Sequence, residues 1–143
     1  MKILLPYSDF KLNDPVVVGG RERFIQHLYD EYDNVIPLDL NYISSKYTFQ
    51  ERRKTVIESN AIIKKTALKH NVDIIICNWL TSAYCGSGLM DLPIPIMHID
   101  HTVNNMMSCI QTFNRLKKNN HSIFLVNEYQ KNYYDAYADR LKN

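Results

Sequence analysis

Val72-Asp73-Ile74-Ile75-Ile76-Cys77 is a short, almost unbroken apolar run, rich in β-branched residues. A strand with one wet face alternates apolar and polar residues, whereas a strand covered on both faces has no need to. The run therefore predicts an interior strand of a parallel sheet. Residues 94–99 have the same character. Residues 2–6 and 34–38 precede them and residues 122–126 follow, each set between helical or loop segments. Short strands alternating with longer stretches of helical period are the pattern of parallel β-α units. The fold expected is thus a three-layer α/β domain with a mainly parallel sheet of about five strands.

Helical period fills the intervals. Phe24, Ile25, Leu28, Tyr29 and Tyr32 recur at three- and four-residue steps, which predicts a first helix from Gly20 to the Asp33-Asn34 pair with these residues as its apolar stripe. Thr48 and Glu51 have capping-box spacing ahead of a long helix. Its expected buried face is Val56, Ile63 and Ala67 flanked by Ile57, Ala61 and Leu68, with Arg52, Arg53, Lys64 and Lys65 on wetter positions and Asn71 as its stop. A last helix is expected after Asn127. Tyr129, Tyr133, Tyr137 and Leu141 repeat there at four-residue steps, a stripe that suits packing on the sheet and, as the alternative, a stacking platform for bases.

The 143 residues, 45% hydrophobic and 22% charged, hold enough apolar material for one core, since domains commonly form at about 100 to 150 residues. The formal net charge of +2 neither requires nor excludes a polyanionic partner. Three cysteines, Cys77, Cys85 and Cys109, form no CxxC pair and have an odd count, which argues against a disulfide framework or a zinc ribbon. The apolar start is too short for a signal-peptide core, and no stretch reaches the roughly 18 apolar residues of a membrane span. A cytoplasmic location is expected.

Three segments have residues suited to chemistry. Val16-Val17-Val18-Gly19-Gly20-Arg21-Glu22-Arg23 joins the first strand to the first helix, where two glycines let backbone N–H groups and Arg21 approach an anion; a plain turn is the competing reading. The segment lacks the Gly-Lys-Ser/Thr ending of a P-loop and the third glycine of a dinucleotide fingerprint. Met97-His98-Ile99-Asp100-His101-Thr102 stands at the end of the fourth strand, on the side of an α/β sheet where ligands bind. Asp100 and His101 there can orient a hydroxyl, accept its proton or stabilise a developing positive charge; they can equally cap the next helix, as can Thr102. A metal bound by His98, Asp100 and His101 is disfavoured, because His101 points opposite to the other two in a strand. Trp79, Thr81, Ser82 and Tyr84 follow the third strand and suit either a binding loop or a surface connection anchored by Trp79.

Gly19-Gly20-x-Glu22-Arg23 with its amphipathic helix resembles the N-terminal signature of the retaining GT-B glycosyltransferases, whose domains are Rossmann-like. Asp73-Ile74-Ile75-Ile76-Cys77-Asn78, Pro95-Ile96-Met97-His98-Ile99-Asp100-His101-Thr102 and Ile123-Phe124-Leu125-Val126-Asn127 look like that family's successive strand ends, so the resemblance spans the chain. Within the family, Asp100-His101-Thr102-Val103 is similar to a segment of bacteriophage α-glucosyltransferases that decorate hydroxymethylated cytosine in DNA.

The resemblance implies an acceptor-side half of a glycosyltransferase. Gly19, Gly20 and Arg21 would lie near the donor phosphates of a nucleotide sugar, a UDP-sugar by preference, and no cofactor would be needed. Asp100 and His101 would be catalytic, with Trp79, Thr81, Ser82, Tyr84, His98 and Thr102 near the acceptor and no metal. The family binds its donor mainly through a C-terminal domain, which the sequence up to Asn143 is not expected to contain. A donor-domain polypeptide or a homo-oligomer would complete the enzyme, with DNA among the candidate partners. A non-catalytic binding module built on the same fold is the alternative.

Overall fold

The computed structural model describes residues 1–16, 19–78, 89, 91–100, 121–125 and 128–138. Five strands, β1 (Ile3–Tyr7), β2 (Val35–Asp39), β3 (Ile74–Cys77), β4 (Ile96–Asp100) and β5 (His121–Leu125), make one sheet in the order β2-β1-β3-β4-β5. All four pairings are parallel, as the unbroken apolar runs required. The helices are α1 (Gly20–Glu31), the short α2 (Asn41–Ser44), α3 (Arg52–His70) and α4 (Glu128–Ala138), with a 3₁₀ turn over Phe49–Glu51. The fold is Rossmann-like α/β.

The pleat separates two cores. Leu4, Ile75, Cys77 and Ile96 turn to one face, where Ile43 of α2 and Ile63 and Ala67 of α3 cover them. Ile3, Leu5, Tyr7, Ile76 and Ile99 turn to the other, against Ile25 of α1 with Phe24 and Leu28 beside it. Helices thus lie on both sides of the sheet, the three layers expected of parallel strands.

Local chemistry sets the helix ends. Gly19, at φ 105°, adopts a conformation that L side chains rarely reach and admits the chain into α1. Glu51 accepts the Thr48 N–H at 3.3 Å and the Thr48 hydroxyl at 3.2 Å, tightening the turn before α3. Asn71 ends α3 in the left-handed conformation, φ 50°.

The burial of several helical residues departs from the periodic pattern. Tyr29 and Tyr32 are exposed because the layer beneath α1 is completed by Phe24, Ile25 and Leu28. On α3, Ile57, Ala61 and Leu68 face solvent, while Ser59 and Asn60 are buried beside Ile63 and Ala67. The packed stripe is therefore narrower than the run of apolar residues and includes polar ones. Tyr129, expected to be covered by the sheet, is 65% exposed. Leu141 and the side chains of Tyr133 and Tyr137 lie outside the described residues.

β2 is an edge strand. Asn34 accepts from the Ile3 N–H and Leu40 donates to Tyr7, so even-numbered residues of this stretch face β1 and Pro37 turns its nitrogen outward. Among the described residues no helix is long and apolar enough to cross a membrane.

Candidate functional site

In an open parallel sheet, ligands bind beyond the strand C-termini where the strand order reverses. Here that place lies between β1 and β3, because the chain runs outward from β1 to β2 on one side and to β3, β4 and β5 on the other. Pro6 accentuates it. By the alternation of the ladder, Pro6 turns toward β3 and has no N–H to donate. Pairing of β1 with β3 accordingly covers only Ile3↔Ile74 and Leu4↔Ile75, whereas β1 and β2 pair along all five residues. The two central strands are thus unladdered at the end where a ligand would enter.

One wall of this crevice is the loop after β1. Asn41 staples it to the end of β2: its Oδ1 accepts the Asp9 N–H and its Nδ2 donates to the Phe10 carbonyl, both at 2.8 Å. Asp39 in turn accepts the Asn41 N–H at 2.8 Å. Tyr7, buried against Phe10, also hydrogen-bonds to Asp39, and burial followed by the nearby Asp39 charge pushes its phenol above the ordinary value. Asp9 and Asn13 take positive φ, 70° and 62°, a conformation that Asp and Asn accept more readily than most residues. Gln26 of α1 accepts the Asn13 N–H at 2.6 Å and ties down the far side of the loop.

Gly19, Gly20 and Arg21 fall at the start of α1, on this rim. Glu22 is beside them with its carboxylate folded back over Gly19, so that a Cβ at Gly19 would collide with it. The same carboxylate accepts from Arg21 Nη2 at 2.7 Å and Nε at 3.1 Å, and Asp9 stands 4.0 Å from the guanidinium. A carboxylate of the chain itself thus lies over Gly19 in the first turn of α1, whose positive end would attract an external anion. A Cβ on Gly20 would meet nothing within 4 Å, so open space adjoins the backbone there.

Asp100 ends β4 at the same rim, two strands from β1, and its side chain lies outside the described residues. His101, Thr102, Trp79, Thr81, Ser82 and Tyr84 lie outside them as well. Asn78, following β3, is buried.

His98 is turned into the interior rather than onto the rim. It is fully buried on the α3 face of the sheet, with its Nε2 2.8 Å from Nδ1 of His121 on β5 and the two rings inclined by only 11°. His121 hydrogen-bonds to the Leu89 backbone in the sense that favours its protonated form, hence as a donor to the carbonyl. Between the two facing nitrogens one ring donates and the other accepts, as the tautomers dictate. Burial, then the neighbouring His121, pushes the His98 pKa from 6.5 down to about 3. Burial lowers that of His121 too, against the Leu89 hydrogen bond.

Sequence reasoning singled out the glycine loop, the β4 end and His98, but not the contacts of Tyr7, Asp39 and Asn41 or the pairing of His98 with His121. Asp39-Leu40-Asn41 directly after a strand was a visible signal for the loop staple. The class these elements define is a Rossmann-like α/β domain with its candidate ligand crevice at the β1/β3 switch point. Comparison with protein-family models, with curated proteins and with solved structures found no match.

Proposed function

We propose that this domain is the acceptor-side half of a glycosyltransferase, which moves a sugar from a nucleotide sugar, UDP-linked by preference, to an acceptor hydroxyl. Hydroxymethylated bases of phage DNA are the leading acceptor. The observation that supports this reading is the sheet order, in which the Gly19–Arg21 start of α1 and the Asp100 end of β4 share one rim. In this scheme the acceptor oxygen bonds to the anomeric carbon, the bond to the nucleotide phosphate breaks, and Asp100 or His101 receives the hydroxyl proton. A donor-binding unit completes the site.

The test is calorimetric titration with UDP-sugars and hydroxymethylated DNA, with and without a donor-domain polypeptide, at low and moderate salt. Acceptor binding by the chain, with sugar consumption once the partner is present, supports the proposal. An assembled pair that consumes no nucleotide sugar refutes it.

One observation favours a second reading, a non-catalytic binding module. Glu22 lies over Gly19 and engages Arg21, so a resident carboxylate competes with an anion approaching there. Unchanged biological effect after substitution of Asp100 and His101 would select this reading.

A further inference from the structure

Phe49 is 76% exposed, and the Arg52 guanidinium carbon lies 4.7 Å from its ring centroid. This is a cation–π pair on an open surface, leaving much of an aromatic ring in water. Nearby in the chain, Tyr42, 51% exposed, has the Lys46 ammonium 6.0 Å from its centroid. Two aromatic–cation pairs thus lie on the connection from β2 to α3.

The first turn of α3 is Arg52-Arg53-Lys54, with no acidic residue in it. Cations at a helix start oppose the helix dipole, so helix stability does not account for them. Glu51 pairs with Lys54, and Glu58 with Lys46. Arg52 also donates to the Phe49 carbonyl, at 3.5 Å, and among the described residues neither Arg52 nor Arg53 pairs with a carboxylate. Among the described residues two guanidinium groups thus lack a carboxylate partner, one of them over an exposed ring.

We propose that Tyr42, Lys46, Phe49, Arg52, Arg53 and Lys54 form a contact surface for single-stranded nucleic acid. Exposed rings offer stacking faces to bases, and the guanidinium groups meet phosphates while Arg52 braces Phe49. Because α3 carries the chain back from the exit of β2 to the start of β3, its first turn lies toward the strand C-termini. The surface shares that end of the sheet with the candidate crevice. It stands on its own residues, whether or not the domain transfers sugar.

The test is fluorescence anisotropy with a labelled oligothymidylate across a salt series, alongside co-sedimentation with phosphatidylserine vesicles. Nucleic-acid binding that weakens with salt is expected. Arg53→Gln should lower the steepness of the log–log salt dependence by about 0.7, and Phe49→Ala should weaken binding roughly tenfold with the slope unchanged. Circular dichroism confirms that each variant is folded. No binding at low salt, binding indifferent to both substitutions, or vesicle binding that depends on Arg53 while the oligonucleotide is ignored would each overturn the proposal. Nucleotide-sugar consumption is measured separately, so failure of this surface and failure of the transferase proposal are distinguishable.

Discussion

His98 Nε2 lies 2.8 Å from Nδ1 of His121 across the β4/β5 pair, and His121 is hydrogen-bonded in turn to the Leu89 backbone. Three segments far apart in sequence are joined by two neutral imidazoles. Nδ1 of His98 finds no hydrogen-bond partner among the described residues. The arrangement requires an uncharged pair, because burial penalises a proton on either ring.

That requirement makes stability depend on pH. An unfolded histidine takes up a proton near pH 6.5, while His98 in the fold resists down to about pH 3. Acid therefore favours the unfolded chain, and stability falls as pH drops from about 6.5 toward 3. Urea denaturation at pH 7.5 and 4.5 should show a loss at the lower pH of about 2–3 kcal/mol from this group. His98→Asn, which keeps a donor but no titrating ring, should reduce that difference.

Gly19 and Gly20 should respond in opposite ways to the same change. Gly19→Ala forces a side chain into φ 105° and against Glu22, and should cost about 1–3 kcal/mol in chemical denaturation. Gly20→Ala enters open space at a helical position and should be neutral or stabilising by up to about 1 kcal/mol. If phosphate approaches the Gly20 backbone, this variant nonetheless loses nucleotide-sugar affinity, which calorimetry would read.

Glu22→Gln removes the charge that lies over Gly19 and holds Arg21. Under the transferase proposal, uridine diphosphate should bind several-fold more tightly to this variant, because the anion no longer competes with a resident carboxylate. An unchanged affinity would mean that the start of α1 is not where the phosphates sit.

Asn41→Ala takes away two side-chain hydrogen bonds that pin the β1–α1 loop to β2. A loss of about 1–3 kcal/mol is expected. Hydrogen exchange should show the Asp9 amide, now without its acceptor, among those most accelerated.

The strands were legible because a buried parallel sheet imposes a composition, and Ile74-Ile75-Ile76 carries it openly. Gly20 and Asn71 marked helix ends for equally local reasons. What could not be read was contact across the sheet. The histidine pair depends on the register Ile96↔His121, which no local pattern announces. Ile57 and Leu68 misled because periodicity locates a face of α3 but not how much of it the sheet can cover. At the site, the glycines were visible, yet whether Glu22 or a ligand fills the space above them depends on side-chain direction.

Pro37 has a consequence for how copies of this protein meet. The outward backbone row of β2 comprises Val35, Pro37 and Asp39, so a strand arriving at this edge finds no donor at its middle. Continuation of the sheet into a neighbouring molecule is discouraged there, guarding the chain against edge-to-edge aggregation. A homo-oligomer would have to be built without lengthening the sheet past β2.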